Sequence, residues 1–332
     1  MRHTIIGCAV CFALACMPAC GRPVSIVEAA NEGQQASEPQ PEEPSSNVDT
    51  TTIAQKTVSA YAGKVASDEF VSVKTFGAVG DGEADDTEAI QAAVSSDEIV
   101  YFPAGSYKIS KPILITQKKI WSLYAQDASF VYTGNDFAFK INEAQNCHIE
   151  IGEIISENGG GIEFYSENTQ KWNQYVSLTF DYIDCATDCI YIRVSGGWCN
   201  ENQIYGGRFA GGNNGVHVEY LGEDVLNGWK FYNCGIEGAD NGFLFDAGKG
   251  YIADMAIINP RYAESFNTIF KTVGTVCDCL WIGTHVVEPN MVACSTKTSR
   301  FEILAPIGET GHRGCIVDGT LMVERVEYER AE

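Results

Sequence analysis

Arg208, Glu237, Arg261, Glu264, His285 and Glu288, with Asp184 one interval earlier, recur at near-equal spacing along the second half of a 332-residue chain. Carboxylates, guanidinium groups and an imidazole gathered in one place are the materials of acid–base chemistry. On neighbouring rungs of a coil of parallel strands, two such carboxylates stand on the order of 5 Å apart, and two rungs apart about 10 Å. Those separations bracket the carboxyl pairs that cleave glycosidic bonds with retention or inversion. Glu237 and Glu264 are the best-placed acid and base. Arg208, Arg261, His285, Glu288 and Asp184 are candidates for holding substrate, Arg261 by orienting a sugar hydroxyl or carboxylate. Elimination beside a uronate is the other chemistry open to the set, with a base to take the proton and an Arg or a cation to steady the enolate. The same residues can instead make an exposed salt-bridge ladder that contributes little.

The elements that must position them are read from a repeat. Take Ile149, Leu178, Ile204, Phe231, Ile257 and Ile282 as anchors; they are separated by 29, 26, 27, 26 and 25 residues. Five residues after them stand Ile154, Ile183, Phe209, Ile236, Tyr262 and Val287. Twelve after the middle four stand Ile190, Val216, Phe243 and Ile269, each preceded at two residues by Asp188, Asn214, Asn241 or Asn267. Asn and Asp tolerate left-handed turns and can stack as hydrogen-bonded ladders. A period in the mid-twenties, short alternating strands and a polar turn at fixed phase predict an all-β, right-handed parallel β-helix. Six residues after the anchors lie Asp184, Ala210, Glu237, Ala263 and Glu288, four after lie Arg208, Gly235 and Arg261, and three after the last lies His285. The segments 120–132 and 137–141 read as earlier rungs, and 301–304 and 316–317 as a last one. About eight to ten rungs fit the remaining length. Trp172, Trp198, Tyr205, Tyr220 and Trp229 offer stacking faces for sugar rings, though some must be core. His217 alternates with Val216 and Val218 and so points outward.

Ahead of the repeat stands Phe76-Gly-Ala-Val-Gly-Asp-Gly-Glu-Ala-Asp-Asp-Thr-Glu-Ala-Ile-Gln91, followed by Tyr101-Phe-Pro-Ala-Gly-Ser-Tyr107. Gly77, Gly80 and Gly82 around Asp81 predict tightly turned backbone. Asp85 or Asp86 is suited to cap a short helix, with Asp85 and Glu88 at capping-box spacing. Ala89, Ile90, Ala93 and Val94 give that helix one apolar face, fit to seal the end of a coil. These acids read as caps and turn formers. The stretch resembles the opening signature of the pectate-lyase-like (pectin-lyase-fold) superfamily. That resemblance implies a β-helix that binds or cleaves polysaccharide. It is specific over 71–110 and generic over 111–320. The polygalacturonase motifs and the Asp-rich calcium set of the true pectate lyases are not matched, so no catalytic residue carries over by position and a calcium requirement stays open. Asn233-Cys-Gly-Ile-Glu237 and Asn259-Pro-Arg-Tyr-Ala-Glu264 look more like phage tailspike β-helices.

Composition narrows the partners. The chain carries 44 acidic against 22 basic residues, a formal charge of −22. That excludes nucleic acid as a natural partner and disfavours polyanions. Residues 1–20 read as an export signal: a weakly basic start, then a short apolar run. Ala13-Leu-Ala-Cys16 resembles a bacterial lipobox and Met17-Pro-Ala-Cys20 a weaker one, implying a lipid-anchored chain that begins at Cys16 or Cys20; an ordinary cleaved signal is the alternative. Residues 21–57 are too polar to bury a core and read as a tether. The β-helix is expected over 58–323 and a charged tail over 324–332. Nine of the 13 cysteines fall in the helical domain without zinc-type spacing, and read mostly as packed thiols. The expectation is an exported, surface-tethered glycan hydrolase or lyase, with a non-catalytic glycan-binding or adhesive protein as the alternative and a homotrimer left open.

Overall fold

Apolar residues at one phase of each repeat pair across rungs and turn inward, which defines the core. The computed structural model describes residues 70–96, 98–263, 268–286, 292–293 and 299–308. One column of parallel partners runs Val71, Val100, Leu123, Ile149, Leu178, Ile204, Phe231, Ile257, Trp281 and Ile303. From Val100 to Trp281 its members are buried. A second column holds Tyr107, Phe130, Ile154, Ile183, Phe209 and Ile236. A third holds Ile113, Phe139, Ile162, Ile190, Val216, Phe243 and Phe270. The chain is therefore a parallel β-helix in which aromatic rings interlock within and between rungs. Phe243 meets Phe231 edge-on at 5.4 Å, and Phe270 meets Phe245 at 5.1 Å. The early segments and the one at 301–304 join the coil as strands Ser122–Tyr132, Phe137–Gln145 and Ser299–Gly308. The expected rung at 316–317, the tether, the export signal and the tail lie outside the described residues.

The last full turn departs from the expected phase. Trp281, not Ile282, pairs with Ile257, and Phe270, not Ile269, pairs with Phe243. Thr268, not Asn267, lies opposite Asn241, and Val286, not Val287, opposite Tyr262. For Trp281 and Val286 the cause is a shortened corner. Asp246 and Tyr251 pair with Val273 and Thr275, so Gly274 alone stands where the preceding rung has Ala247 to Gly250. Trp281 then fills the interior while Ile282 is 36% exposed.

Two kinds of corner hold the register. Ile120, Asn146, Tyr175, Glu201, Gly228, Asp254 and Asp278 each lie three residues before a first-column residue, and all are left-handed, with φ between 51 and 78°. Two residues after that column the chain bends again at Gly206, Asn233 and Asn259, also left-handed. Asn259 Nδ2 donates to Asn233 Oδ1 at 2.8 Å. The asparagines that gave these segments a tailspike look are thus bend residues. On the opposite corner the expected ladder forms: Asn241 Nδ2 donates to Asn214 Oδ1 at 2.8 Å, and Asn214 Nδ2 to Asp188 Oδ1 at 2.6 Å.

The glycine-rich opening packs on the first rungs. Gly80 has φ +66°, and a Cβ there would fall 2.8 Å from the Tyr107 ring. Burial pushes the Tyr107 hydroxyl up to about 12. Helix α1, Thr87–Ser95, buries Ile90, Ala93 and Val94 and partly Ala89, as its stripe predicts. The capping box does not form. Glu88 turns to Lys111 at 2.8 Å, and the Asp86 carboxylate accepts from the amides of Val79 and Gly80. Asp85 instead accepts from the Thr87 amide and hydroxyl and from the Ser110 hydroxyl.

A pH dependence follows at Asp85. Burial works to raise its pKa, but the Ser110 and Thr87 hydrogen bonds outweigh it and leave the group below its ordinary value of 3.8. A lowered folded-state value means stabilisation that is present above the unfolded pKa and fades as pH falls through the folded one. Thermal unfolding from neutral into acid pH should therefore fall less steeply for Asp85→Asn than for the parent; parallel curves would remove Asp85 from the acid response.

Among the described residues Cys147, Cys185, Cys189, Cys199, Cys234 and Cys279 are buried free thiols. Burial pushes Cys199, Cys234 and Cys279 up to about 12, so they behave as packed apolar groups.

Candidate functional site

The register brings the predicted turn together in part. Beyond the bend at Gly206 and Asn233, the chain runs as three-residue strands Arg208–Ala210, Gly235–Glu237 and Arg261–Ala263. Tyr182, Arg208, Gly235, Arg261 and His285 are partners on successive rungs. With Trp281 as the true anchor, His285 takes the same phase as Arg261. Two positions on, Asp184, Ala210, Glu237 and Ala263 form the parallel column. Glu264 and Glu288 lie outside the described residues.

Arg208 reaches diagonally across Gly235, whose missing Cβ would sit 3.2 Å from the Arg208 stem. Its Nη2 donates to Glu237 Oε2, in a pair that is 57% and 32% exposed. That hydrogen bond raises the Arg208 pKa above its ordinary value. The guanidinium also lies 5.9 Å from the Tyr182 ring centre, a loose cation–π contact. Burial, then the Asp184 charge, raises Tyr182. Arg261 is exposed. The described part of the turn is thus a solvated ladder offering guanidinium donors, a carboxylate acceptor and a phenol along one edge. Such groups can grip hydroxyls of a sugar. Among the described residues no three His, Cys, Asp or Glu side chains converge to hold a metal ion.

Of the predicted aromatics, Tyr205 stacks on Tyr232 at 4.8 Å with planes 7° apart, just before the bend. Trp229 and Tyr220 are core, a correction to their reading as stacking faces. Trp229 Nε1 donates to the Cys199 carbonyl at 2.5 Å and its ring meets Phe164. Trp172 and Trp198 are exposed.

A second polar cluster, one residue beyond the third apolar column, escaped the sequence reading. Glu163 is 3% exposed at its side chain, with Arg193 Nε 2.9 Å from Oε1 and Lys140 Nζ 2.8 Å from Oε2. Arg193 also reaches Glu167 at 2.8 Å, and Lys140 reaches Asp136 at 3.0 Å. Burial alone would lower Arg193, but its bonds to Glu167 and Glu163 hold it above its ordinary value. One rung on, His217 Nδ1 lies 2.8 Å from Asp188 Oδ2, and the Tyr191 ring lies 4.8 Å from the imidazole. The Tyr191 hydroxyl donates to Glu219, and burial followed by that bond raises its pKa. The signal was the charge at alternate positions of the strands carrying Lys140, Glu163 and Arg193, whose partners are set only by register. Because these charges pair with one another, with Glu163 Oε2 held by its ion pair to Lys140 and not by a hydrogen bond, the cluster reads as a brace.

Comparison with known proteins bears on the opening. Residues 70–121 match the family model described as Rhamnogalacturonase A/epimerase, pectate lyase-like. A probable glucan endo-1,3-beta-glucosidase of Arthroderma benhamiae (strain ATCC MYA-4681 / CBS 112371) is 36% identical over 97 residues, 27% of this chain and 11% of that protein. The pre-neck appendage protein of Bacillus phage B103 is 48% identical over 50 residues, 15% of this chain and 6% of that protein. The chain therefore spans only about a tenth or less of these relatives. The solved structure of ORF18 from Geobacillus virus E2 aligns at a TM-score of 0.48 and 15% identity, covering 83% of this chain and 63% of that one. The chain is thus a parallel β-helix whose opening, residues 70–121, is similar to the rhamnogalacturonase A/epimerase, pectate lyase-like family.

Proposed function

We propose that the chain is an exported, surface-tethered β-helix that acts on polysaccharide through the turn lined by Arg208, Glu237, Arg261 and His285. The observation that carries this reading is the register, which sets those residues on four successive rungs. Glu237 and Glu264 serve as the acid/base pair. Arg208, Arg261, His285, Glu288 and Asp184 hold the glycan. Residues 1–20 direct export, with lipid attachment at Cys16 or Cys20, and 21–57 form the tether. The solvent-exposed Arg208–Glu237 pair favours a second reading, in which the turn binds glycan without cleaving it.

A polysaccharide panel separates the two, with β-1,3-glucan first because a relative carries that name. New reducing ends alone mark a hydrolase, reducing ends with ultraviolet absorbance mark a lyase, and calcium is varied in both arms. Glu237→Gln should lower turnover by roughly a hundredfold or more if Glu237 is the acid or base. Full turnover in Glu237→Gln removes it from catalysis; retention on a glycan gel without turnover moves the function to binding.

A further inference from the structure

Trp172 and Trp198 are strand partners on adjacent rungs, 42% and 57% exposed, with ring centres 5.8 Å apart at 31°. Val225 and Tyr251, partners of one another and also exposed, continue the stripe. Asn200 Nδ2 donates to Asn227 Oδ1 at 3.2 Å, two residues beyond Trp198 and Val225, so the two halves share one register. Four rungs make a strip about 14 Å long at the parallel-strand spacing.

The strand is built to put Trp198 outside. Its pairing slips between Val194 and Gly196 and again before Trp198, and Gly197 takes φ 76°. A bulge of this kind re-aims a side chain. Trp229, by contrast, is fully buried. Holding large apolar rings in water opposes folding, and a contiguous exposed apolar patch marks a contact surface.

Charge narrows the occupant. Lys171, beside Trp172, is paired with Glu143, and Arg193 is paired with Glu163 and Glu167. The chain as a whole carries −22. Apart from the exposed Lys249, two residues before Tyr251, a polyanion finds little here to hold it. We propose that this stripe binds a neutral polysaccharide lying along the coil axis, with pyranose faces stacked on Trp172, Trp198 and Tyr251. The apolar C–H face of a pyranose meets the negative face of an indole or phenol ring. The rung-to-rung spacing is close to the length of one sugar ring, so successive residues of one glycan meet Trp172 and Trp198, pass over Val225 and meet Tyr251. The inference rests on the glycan reading of the protein but not on the Arg208 turn.

The test is affinity electrophoresis of the full chain in gels containing neutral β-glucan, mannan, polygalacturonate or alginate. Neutral gels should retard the parent chain and the polyuronates should not. Trp172→Ala/Trp198→Ala should lose roughly tenfold or more in affinity, and Trp198→Phe should keep most of it. Matched circular dichroism and melting curves establish that the variants are folded. Loss of retention in Glu237→Gln with none in the tryptophan pair upholds the turn and overturns the stripe. No retention of the parent in any neutral glycan overturns it too, as does retention in polyuronate gels alone. If the tryptophan variants instead dissociate an oligomer seen by light scattering, and glycan binding is unchanged, the stripe is an interface between copies and the proposal fails.

Discussion

Trp229→Ala will lower the stability of the coil by about 3–5 kcal/mol, the range for an aromatic deleted from a packed interior. The ring is fully buried, packs edge-on to Phe164 at 5.0 Å and lies above Phe231 at 6.2 Å. The substitution opens a cavity that three rungs share and strips the donor from the Cys199 carbonyl. Urea unfolding should show an earlier midpoint with an unchanged slope if the coil melts as one unit. A shallower slope or two phases would mean that the rungs beyond the defect melt separately, as nearest-neighbour coupling in a solenoid allows. Trp229→Phe should recover most of the packing and cost only about 1–3 kcal/mol, chiefly the unpaired carbonyl. A shift below about 1 kcal/mol in Trp229→Ala would show that the ring is not integral to the core.

Glu163→Gln is expected to cost roughly 2–3 kcal/mol, less than the 3–5 kcal/mol of a fully buried broken pair. The reduction arises because Arg193 keeps Glu167 and Lys140 keeps Asp136. Burial opposes the charge on Lys140, but bonds to Glu163 and Asp136 raise its pKa above its ordinary 10.5. Arg193 is raised as well. A raised basic group stabilises fully below its unfolded pKa and loses that contribution as pH climbs through the folded one. The gap between parent and Glu163→Gln should therefore stay constant across neutral and mildly alkaline pH, and narrow only in strong alkali. In a double-mutant cycle, Glu163→Gln with Arg193→Gln should cost less than the sum of the two singles. Additivity would show that the pair is not coupled.

Most of the coil was legible in the chain because burial imposes the same demand on every rung. Five of the six anchors, the Asp188–Asn214–Asn241 ladder and the outward turn of His217 follow from periodicity alone. From Trp281 on, the final turn was misphased because the number of residues at one corner is not fixed by any apolar pattern: Gly274 does there what Ala247 to Gly250 do a rung earlier. Glu88 had the spacing of a capping residue, yet Lys111, 23 positions away, competes for it in space. The Glu163 brace was hidden for a similar reason, since Arg193 lies 30 residues from Glu163 and only register makes them neighbours. Trp229 and Trp198 are the same residue type with opposite fates because they stand at different phases, Trp229 two residues before a first-column residue and Trp198 after a slip in pairing. For the turn itself, type and phase placed Arg208, Arg261 and His285 in line, whereas the diagonal reach of Arg208 to Glu237 depended on the open space above Gly235.

The left-handed residues from Ile120 to Asp278 have one further consequence. Only one of the seven is glycine, so the others accept a conformation that disfavours L-residues by about 1–2 kcal/mol each. The return is a corner of constant length, in which amide and carbonyl meet from rung to rung, as where Asp254 donates to Asp278 at 3.1 Å. The corner after the third column varies freely, from a single residue at Gly274 to the bulged approach to Trp198. One edge of the coil keeps time while the other can lengthen or shorten without disturbing the beat. New surface chemistry can therefore be grafted onto the variable edge through small insertions, while the stack of strands beneath it stays in step.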